Sequence, residues 1–160
     1  MRIQLNLDSM AVLLFCGDLV VDNTAPLTQD EWYDVEKKLK SSSKKLPSKL
    51  FGMNKDTLIQ ILGIDEYIAY KMISRLSTLN DLANLENEGI YITTKYEENY
   101  PSCLATSLKK RAPLFLYYVG DLSLANNMVS IVGPQNVEKR LHSFTKNLVT
   151  KIYDEERTLV

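Results

Sequence analysis

Seven lysines and no acid stand between residues 37 and 55, the sharpest charge bias in the chain. Clustered lysines gain affinity for a nucleic-acid backbone by releasing its counterions, so this run, with Lys44 and Lys45 near its centre, is a candidate phosphate contact. Its plainer reading is a solvated loop and helix end. A second candidate is Ile131-Val132-Gly133-Pro134-Gln135, where a strand-like run gives way to a helix-like one. In α/β folds an anion settles at such a place against helix N-terminal N–H groups, and glycine lets the backbone come close. Gly133 is then the residue at the anion, and Lys139 and Arg140 add charge near the helix start. The full Gly-x-Gly-x-x-Gly fingerprint is absent, and Pro134 removes one N–H donor. Lys139, Arg140 and Lys146, like Lys109-Lys110-Arg111, are also ordinary for a solvated helix face or loop.

Other chemistry finds less support. Cys16 and Cys103 are far apart and lack a second Cys or His at metal-ligand spacing, which disfavours a disulfide and a zinc site and leaves buried structural thiols. His142, the only histidine, has no nucleophile near it in sequence, so a surface or packing role is expected. Glu97-Glu98 and Glu155-Glu156 are adjacent pairs, and adjacency does not set two carboxylates facing each other for acid–base work. Trp32 and the nine tyrosines could stack on bases, but most stand at core-like positions and are read as packing. No catalytic residue, metal or cofactor is expected.

The elements that must position these residues follow from periodicity and punctuation. Leu5, Leu7 and the run 10–16 predict a short helix stopping at Gly17, where glycine would relieve a left-handed turn. Thr28-Gln29-Asp30-Glu31 has capping-box spacing before Trp32, Val35 and Leu39, so a second helix starts there; three serines and Pro47 end it within 40–48. Two further helices, 56–62 and 66–77, meet at a tight turn containing Gly63 and Asp65, and another spans about 80–88 and closes at Gly89. Residues 62–73 resemble a helix-hairpin-helix with Asp65 in place of the second glycine, which sets a negative charge where a phosphate would bind and favours structural helix pairing. After Gly89 the β-branched and aromatic runs 90–94, 114–119 and 128–132 read as strands, most of them buried. Val137, Leu141, Phe144, Leu148 and Ile152 mark an amphipathic helix over 136–153. With Thr158-Leu159-Val160 it makes the opening of a βαβ unit.

The expected class is therefore α/β: a helical domain over 1–88, helix-hairpin-helix-like, followed over 89–160 by the start of a Rossmann-like parallel sheet domain. That second domain reads as unfinished, as in a truncated or shortened chain. At 160 residues, 45% apolar and 24% charged, the protein has the make-up of a soluble globular chain. Its net charge of −1 gives no global attraction to nucleic acid or anionic lipid, and the longest apolar run is too short for a membrane span. A cytoplasmic location without membrane contact is expected.

Three cues then stand in order. Gly89-Ile90-Tyr91-Ile92-Thr93-Thr94 is followed by Tyr100-Pro101 and Leu104; Ala112-Pro113-Leu114-Phe115-Leu116-Tyr117 is followed by Gly120-Asp121; and Ser130-Ile131-Val132-Gly133 ends the third run. Together they resemble the DprA/Smf DNA-processing family, across about residues 89–135. The resemblance implies a protein without catalytic turnover that binds single-stranded DNA and loads a RecA-type recombinase in recombination or natural transformation. It also implies that the turn at Gly133, Pro134 and Gln135 contributes to the DNA pocket. Gln135 stands where the family has arginine, and the rest of the pocket would lie beyond Val160. Single-strand binding by this chain is accordingly expected to be weak or to depend on those residues. Exposed sheet edges favour a homodimer. Two other readings remain open: a nucleotide- or phosphoribosyl-binding Rossmann-like enzyme with Gly133 under the phosphate, and a protein-interaction module without direct DNA binding.

Overall fold

Residues 11–16 carry no charge and almost no polarity, and a helix that is apolar all round belongs in a core. The computed structural model, which describes residues 5–18, 24–75, 82–133 and 138–159, places α1 (Leu7–Cys16) there, with every residue from Ala11 to Cys16 buried. Asn6 caps it, its Oδ1 accepting the Ser9 N–H at 2.8 Å. The helix stops at Gly17 as expected, but for a different reason. Gly17 has an ordinary extended backbone (φ −88°), and what requires glycine is proximity, since a Cβ would lie 2.6 Å from the Leu13 carbonyl oxygen.

Helix α2 (Gln29–Ser41) opens with the capping box read from the sequence. Thr28 Oγ1 accepts the Glu31 N–H at 3.2 Å, and Glu31 Oε2 accepts the Thr28 N–H at 2.7 Å. Its inner face buries Trp32, Val35 and Leu39, with Trp32 stacked on Phe15 at 5.9 Å between ring centroids. The same Glu31 oxygen also takes Lys71 Nζ at 2.8 Å from α4 (Glu66–Ser74), so one carboxylate both starts α2 and fixes the partner helix. Helix α3 (Lys55–Leu62) precedes α4 and ends at Gly63 in the left-handed conformation (φ 59°, ψ 35°). Helix α4 ends at Ser74, short of the expected Ser77; residues 76–81 lie outside the described residues. Arg75, 1% exposed, follows the helix: its guanidinium donates to the Leu14 and Gly17 carbonyls, satisfying the open end of α1, and to the Thr24 carbonyl. A short α5 (Leu82–Asn87) leads to Gly89.

Strands β1 (Tyr91–Thr94) and β2 (Phe115–Tyr118) pair antiparallel, Tyr91 opposite Tyr118 and Thr94 opposite Phe115. Thr94 Oγ1 meets Ser9 Oγ at 2.7 Å in the core, which docks the sheet on α1. Between the strands lies α6 (Ser102–Leu108), which no apolar periodicity announced because none of its residues is buried; a 3₁₀ turn, Lys109–Arg111, follows. These elements form one compact unit, Met1–Gly120, so β1 and β2 share it with the helices.

The second unit, Asp121–Val160, holds β3 (Met128–Val129), α7 (Lys139–Asp154) and β4 (Thr158–Leu159). β3 and β4 are parallel with α7 between them, a strand–helix–strand arrangement. The expected buried strand over 128–132 is cut to two residues, because Ile131 (37%) and Val132 (93%) face solvent and have no neighbouring chain to pair with among the described residues. The start expected for the last helix, residues 136 and 137, lies outside the described residues. Of the described residues of its apolar stripe only Ile152 is buried, while Leu141 and Phe144 are exposed. The tyrosines divide likewise: Tyr100 is buried, but Tyr33, Tyr67, Tyr70, Tyr117 and Tyr153 are exposed, which corrects their reading as packing residues. The chain as described is a mixed α/β protein with two small sheets.

Candidate nucleic-acid interface

The lysine-rich run occupies the last turns of α2 and the segment leading to α3. Three of its lysines are engaged: Lys38 Nζ donates to the Gly63 carbonyl at 2.6 Å, Lys40 pairs with Glu36 at 3.0 Å, and Lys55 pairs with Glu66 at 2.6 Å. Lys37, Lys44, Lys45 and Lys49 make no ion pair among the described residues. Lys44 is half-buried and its backbone N–H donates to Ser42 Oγ; Lys45 is exposed and sits in the left-handed region (φ 61°). Lys37 and Lys38 border an open cavity of about 560 Å³ that reaches Gly63 in the α3–α4 turn. At that turn Asp65 Oδ1 accepts the Tyr67 N–H at 2.8 Å, so the amide that a phosphate would use is already taken by a carboxylate of the chain.

The second set of candidates lies in the other unit. Gly133 is exposed at the exit of β3; Gln135 lies outside the described residues; Lys139 is exposed at the first position of α7, and the Arg140 side chain is outside what the structure describes. Beside the β3 exit, Val129–Val132 and the last turns of α7 border a cavity of about 420 Å³ that carries Lys151 and Arg157 against Glu155. Lys44 and Lys45 thus belong to one unit and Gly133 and Lys139 to the other.

A further arrangement escaped the sequence reading. Glu36, 7% exposed, accepts Lys95 Nζ at 2.5 Å and the Tyr96 hydroxyl at 2.8 Å and pairs with Lys40. Burial alone would raise its carboxyl, but the hydrogen bond and charge of Lys95, with Tyr96 and Lys40, outweigh that and hold it below the ordinary glutamate range. Burial pushes the Tyr96 hydroxyl up, reinforced by the Glu36 charge. Outside this cluster opens a groove of about 500 Å³ between the Gln29, Tyr33, Glu36, Lys40 face of α2 and a wall made by Lys95, Lys109 and Lys110. The α2 face has helical spacing and was legible; its convergence with residues some sixty or more positions away was not. Cys16 is buried, and burial drives its thiol far above the range where a reactive thiolate forms. His142 is exposed on α7.

The motif segments also meet in space. The Tyr100 hydroxyl donates to the Pro113 carbonyl at 2.7 Å, and the Lys95 N–H to the Leu114 carbonyl at 3.2 Å, closing the first cue onto the second. Residues 91–160 match the model of the DNA recombination-mediator protein A family. This bears out the DprA/Smf resemblance over that segment. The matched segment contains β1, β2, both strands of the second sheet and α7, while α2 and the lysine-rich run precede it. No curated protein and no solved structure matches the chain. Among the described residues no helix is long and apolar enough to cross a membrane.

Proposed function

We propose that the chain is a single-stranded DNA-binding protein of DprA type that acts in recombination or natural transformation, without catalytic turnover and in the cytoplasm. The match of residues 91–160 to the recombination-mediator family carries this reading. In it, residues 89–160 are a Rossmann-like domain whose Gly133, Gln135, Lys139 and Arg140 contact DNA phosphates at the passage from β3 to α7. The strand–helix–strand order supports that placement, since a strand followed by a helix N-terminus is where such folds hold phosphate. Lys44 and Lys45 give a second phosphate contact, supported by their lack of ion pairs among the described residues. Residues 1–88 act as a helical domain, and α3 and α4 are its helix-hairpin-helix-like pair. A RecA-type recombinase and a second copy of the chain are the protein partners. The test is fluorescence anisotropy with a labelled single-stranded oligonucleotide at low and moderate salt, comparing the protein with a Lys44→Glu, Lys45→Glu variant. Binding that falls with salt and drops in the variant is the expected result; absence of binding at low salt overturns the reading.

A further inference from the structure

We propose that the groove between α2 and the Lys95–Leu114 segment is a separate binding site for a nucleotide unit of a single strand, taking phosphates on its lysine rim and a base on its floor. The proposal rests on the single-strand-binding reading above and adds a site that the family-like turn at Gly133 does not include. Charge is the first ground. One carboxylate, Glu36, faces both Lys40 and Lys95, so it offsets only one of them. Lys109 and Lys110 are exposed and make no ion pair among the described residues. The rim therefore carries a surplus of positive charge in a protein whose net charge is −1.

Rigidity is the second ground. The rim lysines stand on fixed supports: Lys95 is held by Glu36 at 2.5 Å, and the carbonyls of Lys110 and Ala112 accept Gln29 Nε2 from α2 at 3.2 and 2.9 Å, which ties the two walls together. A phosphate-contacting rim that is already ordered loses less entropy on binding. The floor is the third ground. Ala112 and Leu114 are buried beneath the opening, and Tyr33, 40% exposed, presents its ring from the α2 wall. An apolar floor, an exposed aromatic ring and a cationic rim are the combination by which proteins hold unpaired bases without reading sequence. The volume of about 500 Å³ lies within the usual range of small-ligand pockets.

The experiment titrates labelled oligothymidylate of about 12 nucleotides, a length one such groove can serve, into the full chain and into Lys109→Glu/Lys110→Glu, Lys110→Glu and Tyr33→Ala variants, each checked by circular dichroism. Loss of two phosphate contacts should weaken binding about tenfold or more and make the salt dependence shallower by about 1.4 in log–log slope. Tyr33→Ala should weaken it about fivefold or more. Photo-crosslinking with bromodeoxyuridine in the strand should label Tyr33. If the unaltered chain binds but all three variants bind equally well, the groove is overturned while the single-strand reading stands; if the unaltered chain does not bind, both fall. Equal binding of an abasic strand, or of inorganic polyphosphate, overturns the nucleotide assignment in favour of a general anion rim. Labelling of Tyr33 by free bromodeoxyuridine monophosphate with no affinity for the strand overturns it in favour of a small-molecule site.

Discussion

Glu36 shows how a single residue acquires a role that its sequence neighbours do not announce. It lies on the inner half of an amphipathic helix, where a carboxylate is costly, and it persists because two lysines and a phenol converge on it. Its carboxyl is held low in the folded state, as is that of Glu31, whose burial is outweighed by Lys71 and by the Thr28 N–H. A depressed folded value means stabilisation that is full above the unfolded glutamate value of about 4.3 and is lost as pH falls through the folded values. Stability should therefore decline below about pH 4.3. Glu36→Gln should lower neutral-pH stability by about 1–2 kcal/mol and flatten part of that acid limb, as read by urea melts across pH. The capping role of Glu31 was legible from its spacing to Thr28; its pairing with Lys71, forty residues on, was not, since nothing local links them.

Among the elements, the α3–α4 pair was the most readable. Gly63 ends α3 in the left-handed region and Asp65 starts α4 as its cap, both of which are properties of adjacent residues. Gly63→Ala meets no atom within 4 Å, so its cost is the backbone conformation alone. It should destabilise the protein by about 1 kcal/mol, measurable by denaturant unfolding, without altering the slope of the transition. The strands were less legible. β-Propensity marked the runs at 90–94 and 114–119, and β1 and β2 formed there because Thr94 reaches Ser9 on α1 and Tyr100 reaches Pro113. The run at 128–132 has the same composition but yields only two strand residues, because a strand is stabilised by cross-strand neighbours and its exposed half has none among the described residues. Helix α6 escaped notice for the opposite reason: with none of its residues buried, it carries no stripe to read.

For the whole molecule, the two compact units differ in how much they bury. In α1 every residue from Ala11 to Cys16 is buried, whereas among the described side chains of α7 only Ile152 is buried. Amide hydrogen exchange should accordingly protect α1, α2 and β1 far longer than α7, and equal protection factors would contradict this division. The sequence by itself determined where the helices begin and turn, through a capping box, a left-handed glycine and helical periodicity, and it carried the ordered motifs behind the family resemblance. These are properties of residues within a few positions of one another, or of a pattern along the chain, and need no knowledge of what packs where. Only the tertiary structure decided that Arg75 closes the end of α1, that Lys95 meets Glu36, and that the Lys109–Lys110 wall faces Tyr33 across a groove. Those contacts join positions dozens of residues apart, and they exist because burying the apolar faces of α1, α2 and the first sheet together brings the polar groups on their margins into reach.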